Sequence, residues 1–332
     1  MKTILVANNH LKMVGGTESF TFTLIEELVK QGFDVEYFTF EKGIVSDFIE
    51  DKLNVSFMSR NHYDLILANH NTCVNFLSKK GLIIQTCHGV FPKLEQPNIY
   101  ADGFVSISKE ISDHLKQKNI ISKIILNGIN CDRFKSLHPL NTNLKTVLSL
   151  SQSQVANQKI QEACKAINID FLKFNKYKNP VWDIEKNINS ADLVIGLGRS
   201  AYDAMACGRT VISYDEREYS ESFADGYLIP ELINKCVENN CSGRYYKKKF
   251  TVEDLKKELL KYNSKDGADL REYALIHFNI SNSVNRYLEL ALTLNKKHNV
   301  LVLNIIWFKQ WLKITNRSLR HARKKYLQKL KY

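Results

Sequence analysis

The sequence has little cysteine and no long apolar run, and these two shortages exclude several protein classes. Its seven cysteines are scattered and odd in number, and none form a Cys-x-x-Cys pair. This pattern argues against a zinc site or a disulfide framework and favours a reducing compartment. No apolar run reaches the roughly 20 residues that cross a bilayer. The opening MKTILVANNH is typical of a first strand rather than a signal peptide. We therefore expect a cytoplasmic protein.

Acidic residues are missing from the end of the chain. The net charge of +12 suggests nucleic-acid binding until it is placed along the sequence. The last acidic residue is Glu289, and eleven lysines and arginines follow it. Since those eleven charges account for all but one of the +12, residues 1–295 carry about +1. The body is nearly neutral, and the positive charge belongs to the C-terminal segment.

Short apolar runs alternate with helical patterns through residues 1–295, which predicts parallel, doubly wound sheets. The first half opens with a strand at 3–7, a glycine turn and a helix at about 17–30. Further strands are predicted at 35–40, 64–68, 82–86, 103–107, 123–126, 147–150, 169–174, 193–195 and 211–214. Further helices are predicted at about 109–117, 158–167, 252–262 and 281–294.

The polar, proline-containing segment 136–143 is the predicted linker between two similar halves. The second half restarts near residue 146. The predicted division is a first α/β domain at 1–140, a second at 141–280, a closing helix at 281–299 and a basic tail at 300–332.

The tail has the pattern of a basic amphipathic helix. Trp307 and Trp311 lie in its most apolar stretch, and lysines and arginines fill much of the other face. Apolar residues recur at helical spacing at Leu301, Ile305, Phe308, Leu312, Leu319, Tyr326 and Leu330. Such a helix is typical of contact with an anionic membrane surface, so we expect a peripheral protein on the inner face of the membrane. The alternatives are a helix docked on the body and a nucleic-acid-binding arm. The two neighbouring tryptophans do not resemble spaced stacking platforms, so no nucleic-acid partner is expected.

The segment with most chemical information is 191–215, ADLVIGLGRSAYDAMACGRTVISYD. It predicts a buried strand, a turn at Gly196 and Gly198, a helix from Arg199 or Ser200 to Gly208, and a second strand. A helix N-terminus at the carboxyl end of a strand favours anions through its free N–H groups and its dipole. Arg199 adds a fixed positive charge. We therefore expect a phosphorylated ligand, a nucleotide, in a crevice of an α/β sheet.

Three further segments have the composition of ligand-binding turns. Residues 15–18 read GGTE ahead of a helix, and glycines there allow backbone amides to approach a ligand. His88 follows a strand in TCHG, at the end that faces a crevice. Residues 127–130 read NGIN and end the first half. The alternative for residues 15–18 is a tight turn capped by Thr17, and the alternative for His88 is a purely structural role.

Together these four segments resemble the nucleotide-sugar glycosyltransferases of the GT-B fold, in particular glycosyltransferase family 4, over roughly residues 1–295. The resemblance implies two Rossmann-like, doubly wound domains facing a cleft, with the acceptor on the N-terminal side and the donor on the C-terminal side. It implies retaining transfer of a sugar from a nucleoside-diphosphate sugar to a glycan or lipid-linked acceptor. It also implies a part in cell-surface polysaccharide biosynthesis, such as that of lipopolysaccharide or capsule.

The resemblance also assigns roles to residues. Asp203, in DAMACG, matches a glutamate that accepts hydrogen bonds from the nucleotide ribose. Arg199 holds the diphosphate, and His88 contacts the transferred sugar; these three are the implied catalytic residues. The implied nucleotide-binding residues are Gly15, Gly16, Thr17, Ser151, Gly198, Arg199, Ser200, Ala201 and Asp203. No cofactor is implied, and no metal is expected because no Asp-x-Asp pair is present.

The chain departs from the family at two places. Ile195 stands where the family usually has a second glutamate. The family often has an arginine and a lysine after the first strand of the second domain, but Lys159 is the only basic residue in segment 149–161 of this chain. Two other functions therefore stay open. Gly196, Gly198 and Ala201 match a dinucleotide fingerprint, with Asp215 at the end of the next strand, which would suit an NAD(P)-binding oxidoreductase. The chain would otherwise be a degenerate, non-catalytic GT-B binding protein.

Overall fold

The first half contains a six-stranded parallel sheet. The structure, a computed structural model, describes residues 1–174, 181–217 and 224–297. The strands lie in the order β2-β1-β3-β4-β5-β6. Strands β1 to β6 are Thr3–Ala7, Asp34–Phe38, Tyr63–Ala68, Gly81–Cys87, Gly103–Ser106 and Lys123–Ile124. All neighbouring pairs are parallel, as the alternation of strands and helices predicted.

The second half contains a five-stranded sheet in the order β11-β10-β9-β7-β8. Strands β7 to β11 are Thr146–Ser149, Asp170–Lys173, Leu193–Gly196, Thr210–Tyr214 and Ala224–Tyr227. The sequence did not predict β11, which is antiparallel to β10. The connection between Tyr214 and Ala224 is shorter than the dozen or so residues that a parallel crossover needs, so the chain can only turn back.

Helices cover both faces of each sheet. Helices α1 to α11 are Gly16–Lys30, Ile44–Leu53, Asn71–Leu77, Lys109–Lys116, Gln154–Ala166, Ile184–Asn189, Arg199–Ala206, Ile233–Glu238, Val252–Leu259, Asp266–His277 and Ile280–Leu292. The predicted helices are confirmed as α1, α4, α5, α7, α9 and α11. A 3-10 turn, Lys93–Glu95, follows β4.

The central strands are buried on both sides, which explains their almost continuous apolar sequence. In β1, Ile4 and Val6 pack with α1, α2 and α11, whereas Leu5 and Ala7 pack with α3 and α4. The strands of the second sheet alternate in the same way. Val194 faces α7 and α10, and Ile195 faces α5 and α9.

The chain passes between the two halves twice. Beyond β6, Ile129 and Phe134 already pack in the core of the second half. At its far end, α11 returns to the first core, where Ile280, Val284 and Tyr287 are buried. The domain boundary at residue 140 stays a prediction.

The predicted basic helix at 300–332 lies outside the described residues. None of the helices in the described ranges is long and apolar enough to cross a membrane.

Candidate functional site

A cleft of about 1310 Å³ opens where the carboxyl ends of both sheets meet. In each sheet the strand order reverses beside the cleft, between β1 and β3 and between β7 and β9. Such switch points are where open α/β sheets bind ligands. The first half contributes His10, Gly15, Gly16, Thr17, Glu18, His70, His88 and Glu95 to the lining. The second half contributes Gln152, Ser153, Leu197, Gly198, Arg199, Ser200, Asp203, Arg217 and Asn240.

The turn before α7 presents free backbone N–H groups to the cleft. Gly198 has φ +57° and ψ −124°, a conformation that only glycine adopts readily. The amides of Ala201 and Tyr202 donate to the Gly198 carbonyl at 3.0 and 3.2 Å. The amides of Arg199 and Ser200 have no backbone acceptor in the part of the chain that the structure describes. Of the predicted phosphate contacts, the amide of Ser200 is therefore open to a ligand, and that of Ala201 is already bonded.

Arg199 lies in the cleft wall with its guanidinium engaged by the first half. Its Nη1 donates to the Gly128 carbonyl at 3.1 Å, and its Nη2 donates to Thr23 Oγ1 at 3.0 Å. Its Nε lies 3.6 Å from Asp203 Oδ1. Burial lowers the pKa of Arg199, and the Asp203 carboxylate acts in the opposite direction. Arg199 therefore holds the two halves together as well as placing a positive charge beside the α7 N-terminus.

Asp203 lies one helical turn after Arg199 and lines the same cleft. Its side chain is buried, and burial raises its pKa to about 6, although Arg199 and Arg133 favour its ionised form. Asp203 Oδ1 has no hydrogen-bond partner among the described residues. A carboxylate left in this state can accept hydrogen bonds from hydroxyl groups of a ligand.

A hydrogen-bond chain fixes the tautomer of His88. Thr21 Oγ1 donates to the Thr17 carbonyl at 2.8 Å, so Asn69 Nδ2 must donate to Thr21 Oγ1, also at 2.8 Å. Asn69 Oδ1 then accepts from His88 Nε2 at 3.1 Å. Burial lowers the pKa of His88 to about 3, so the ring is neutral. Its Nδ1 is therefore an acceptor, suited to a ligand hydroxyl.

The glycine turn at the start of α1 already contains an anionic group. A Cβ on Gly15 would collide with Glu18 Oε2, and Glu18 Oε1 lies 2.8 Å from His10 Nδ1. A Cβ on Gly16 would meet no atom within 4 Å. The Glu18 carboxylate occupies the position that a phosphate would take at this helix N-terminus. Gly15, Gly16 and Thr17 line the cleft, but the open anion position is the one at α7.

Ser151 does not reach the cleft. It is buried, and its hydroxyl donates to Asp215 Oδ1. Asp215 also accepts from the Glu216 amide and from Arg217 Nε, both at 2.8 Å. The structure therefore uses Ser151 to support the loop after β10 rather than to bind phosphate. Asp215, the acid that an NAD(P) site would need, is buried in the same network and does not line the cleft.

Ile195 packs away from the cleft. Its side chain is fully buried in the core between the sheet and helices α5 and α9. An aliphatic residue is what this position requires. The next residue with a side chain, Leu197, is the one that lines the cleft.

Sequence reasoning missed several residues of the cleft. His10 and His70 lie just beyond β1 and β3, and the argument that identified His88 applies equally to them. Burial lowers the pKa of His70 to about 4, whereas Glu18 raises that of His10. Asn240 approaches Gly198 from a loop after α8, which no local pattern marks. Among the described residues, no group of three or more His, Cys, Asp or Glu is placed to hold a metal ion.

The fold is similar to that of solved glycosyltransferases. AviGT4, a glycosyltransferase involved in avilamycin A biosynthesis, is 10% identical, with a TM-score of 0.54 over 89% of this chain and 98% of that one. The catalytic domain of starch synthase IV from Arabidopsis thaliana, bound to ADP and acarbose, is 12% identical, with a TM-score of 0.52 over 88% and 98%. No protein-family profile and no curated protein sequence matches the chain. The two Rossmann-like sheets thus form a GT-B fold, which confirms the fold predicted from the sequence.

Proposed function

We propose that the protein is a glycosyltransferase that moves a sugar from a nucleoside-diphosphate sugar to a glycan or lipid-linked acceptor. The observation that carries this proposal is the α7 N-terminus. It presents the open amides of Arg199 and Ser200 at the switch point of the second sheet, with the Asp203 carboxyl one turn further along the same cleft. Amides for a diphosphate and a carboxylate for a ribose are the two contacts that such a donor needs.

The donor is expected to lie across the second half of the cleft. Its diphosphate would accept hydrogen bonds from the Ser200 amide and lie beside the charge of Arg199, which is already fixed by Thr23 and Gly128. Its ribose hydroxyls would donate to Asp203. Because these groups are held before the ligand arrives, they stabilise charge on the leaving diphosphate without reorganising.

Transfer is proposed to occur with retention at the sugar carbon. Departure of the diphosphate leaves an oxocarbenium-like centre, and the acceptor hydroxyl attacks from the same face and gives its proton to the departing phosphate oxygen. The neutral His88, with its Nδ1 lone pair available, would accept a hydrogen bond from a hydroxyl of the transferred sugar. This mechanism needs position and fixed charge rather than a protein nucleophile.

The proposed setting is cell-surface polysaccharide biosynthesis, at the inner face of the membrane and through the tail at 300–332. The support is the sequence of the tail, which combines Trp307 and Trp311 with nine lysines and arginines and has no acidic residue.

Nucleotide binding tests the proposal. UDP, GDP, ADP and NADH would be compared by thermal shift and calorimetry on the full chain. We expect stabilisation by at least one nucleoside diphosphate, and a loss of that stabilisation in Asp203→Asn. Stabilisation by NADH alone would contradict the proposal, although the burial of Asp215 already argues against an NAD(P) site.

A non-catalytic nucleotide-binding protein is the second candidate. The observation that favours it is that both Nη atoms of Arg199 already donate within the protein, to Thr23 and to Gly128, while Ile195 supplies no carboxylate. A panel of nucleotide sugars, with and without membrane extract as acceptor, separates the two functions. Binding without any turnover would support the second candidate.

A further inference from the structure

Among the residues that the structure describes, four carboxyl groups line the cleft, and three of them have partners. Glu18 is paired with His10, Asp203 lies beside Arg199, and Glu216 is bonded to Lys159 at 2.6 Å. Glu95 is the fourth, and it makes no side-chain hydrogen bond or ion pair with any residue that the structure describes.

Glu95 is held in the wall of the first half, beside His88. It ends the 3-10 turn after β4, and its carboxyl group lies against the backbone of Gly89, where any Cβ would collide with Glu95 Oε2. The side chain is half-buried. This placement directs an unpartnered acceptor group into the cleft, on the side opposite the α7 N-terminus.

The surroundings of Glu95 favour a neutral hydrogen-bond donor as its partner. Burial, and secondarily the Glu18 carboxylate on α1, raise the pKa of Glu95 to about 7. Cys87 of β4 lies near enough for Glu95 to raise its pKa, although burial is the larger cause. The neutral His88 precedes the glycine that Glu95 touches, and Lys93 belongs to the same turn as Glu95. His114 of α4 and Lys118, two residues beyond that helix, donate to Gln96 instead. His10 pairs with Glu18, and none of the described residues places a cationic side chain in an ion pair with Glu95, so its carboxyl group is available to a neutral hydrogen-bond donor of a ligand.

We propose that Glu95 binds the acceptor, its carboxylate accepting a hydrogen bond from a hydroxyl group of the acceptor sugar. This inference rests on the proposed function and names the residue that orients the acceptor against the donor. The acceptor then lies against Glu95 in the first half, next to the transferred sugar at His88, with the donor diphosphate across the cleft.

The test uses the full chain saturated with UDP and a panel of methyl glycosides of glucose, galactose, mannose and N-acetylglucosamine, followed by ligand-observed NMR. Because the ionised carboxylate is the binding form, we expect the affinity of the bound glycoside to rise about tenfold from pH 6 to pH 8. Glu95→Gln should bind roughly tenfold more weakly at pH 8 and lose the pH dependence. Glu95→Asp should keep the pH dependence at reduced affinity.

Glu253→Gln, which removes an exposed carboxyl on α9, is the matched control and should behave as the wild type. Two results would overturn the inference: equal binding and an equal pH profile in Glu95→Gln, or no glycoside binding to a chain that binds UDP. Failure to bind any nucleoside diphosphate is a different outcome, because it removes the proposed function itself.

Discussion

Arg199 illustrates how one side chain can serve both the fold and the site. It begins the helix whose N-terminus faces the cleft, yet its fork is bonded to a hydroxyl of α1 and to a carbonyl of the NGIN turn. An arginine suits this position because two separate nitrogens of its planar fork reach the two acceptors, whereas a lysine would have to reach both from a single nitrogen.

Arg199→Lys should therefore lower the stability of the whole chain. It would leave either Thr23 Oγ1 or the Gly128 carbonyl without its donor inside the protein, at a cost of about 1–3 kcal/mol in the free energy of unfolding. Urea denaturation measures this. Arg286→Lys, at an exposed arginine that makes one bond to the Ile124 carbonyl, is the control and should change stability little. Equal effects of the two variants would contradict the role given to Arg199.

The raised pKa of Asp203 predicts that the stability of the protein depends on pH. Its pKa is raised from 3.8 to about 6, so the folded protein holds a proton that the unfolded chain releases above about pH 4. The free energy of unfolding should therefore fall by roughly 1–3 kcal/mol as the pH rises from about 4 to about 6. Asp203→Asn should lack this component. Denaturation curves of the wild type and of Asp203→Asn between about pH 4 and about pH 6 measure this component. Identical pH profiles would count against the raised pKa of Asp203.

The α7 turn shows what a single glycine contributes at the level of an element. Gly198 has a positive φ, and a Cβ there would also meet Asn240 Nδ2 at 3.2 Å. At the other end of α7, Gly208 ends the helix with φ +67°. Its amide donates to the Met205 carbonyl, and the Arg209 amide donates to the Ala204 carbonyl. Glycines thus define both ends of α7, which fixes its length and directs its N-terminus toward the cleft.

Gly198→Ala should destabilise the protein by about 1–3 kcal/mol, because alanine does not tolerate this backbone conformation. It should also weaken nucleoside-diphosphate binding by moving the Ser200 amide. Gly16→Ala is the matched stability control, since its Cβ would enter open space within a helix. Gly16→Ala should leave the free energy of unfolding unchanged or raise it by up to about 1 kcal/mol. Thermal and urea unfolding of the two variants would distinguish them, and similar losses would contradict the argument.

The same elements show how far the sequence determines the structure. Strands buried on both faces and long amphipathic helices were predictable, because each carries its own period in a continuous segment. Five helices, α2, α3, α6, α8 and α10, were not predicted, and three of them have only six or seven residues.

In the site, too, features encoded in one continuous segment were predictable, and features that depend on distant segments were not. Gly198, Ser200 and Asp203 were predictable as cleft residues, because strand, turn and helix are contiguous in the chain. The direction of the Ser151 side chain depends on Asp215, which follows a different strand. Glu95 lacks a partner because no other described segment places a donor beside it. Neither property is encoded within a few residues of the position concerned.

At the scale of the molecule, two arginines of the second half bond to the first half. Arg199 donates to Thr23 and Gly128. Arg244 forms two 2.6 Å bonds to the Glu110 carboxylate of α4. Both side chains of this pair are only 18% exposed, so the pair is shielded from salt more than a surface pair would be. These contacts join the two halves that form the cleft.

The tail at 300–332 carries the membrane prediction. Deleting it should release the protein from anionic liposomes while leaving nucleoside-diphosphate binding intact, because each basic residue near an anionic surface contributes about 1 kcal/mol. Liposome co-sedimentation at several salt concentrations measures the first effect, and calorimetry measures the second. Neutral phosphatidylcholine liposomes are the control. Liposome binding that persists after the deletion would contradict the prediction.

The return of α11 to the first core has a consequence for how the chain is made. Ile280 donates to the Ile129 carbonyl at 3.0 Å and Ile129 donates to Phe278 at 2.6 Å, so the second half begins and ends at one point. It is an insertion within the first half rather than a successor to it. A growing chain therefore cannot complete its first core until Val284, Tyr287 and Ala291 have left the ribosome. Although the order of synthesis favours N-terminal domains, here the second half can finish folding first, and the first half stays open until the last helix arrives.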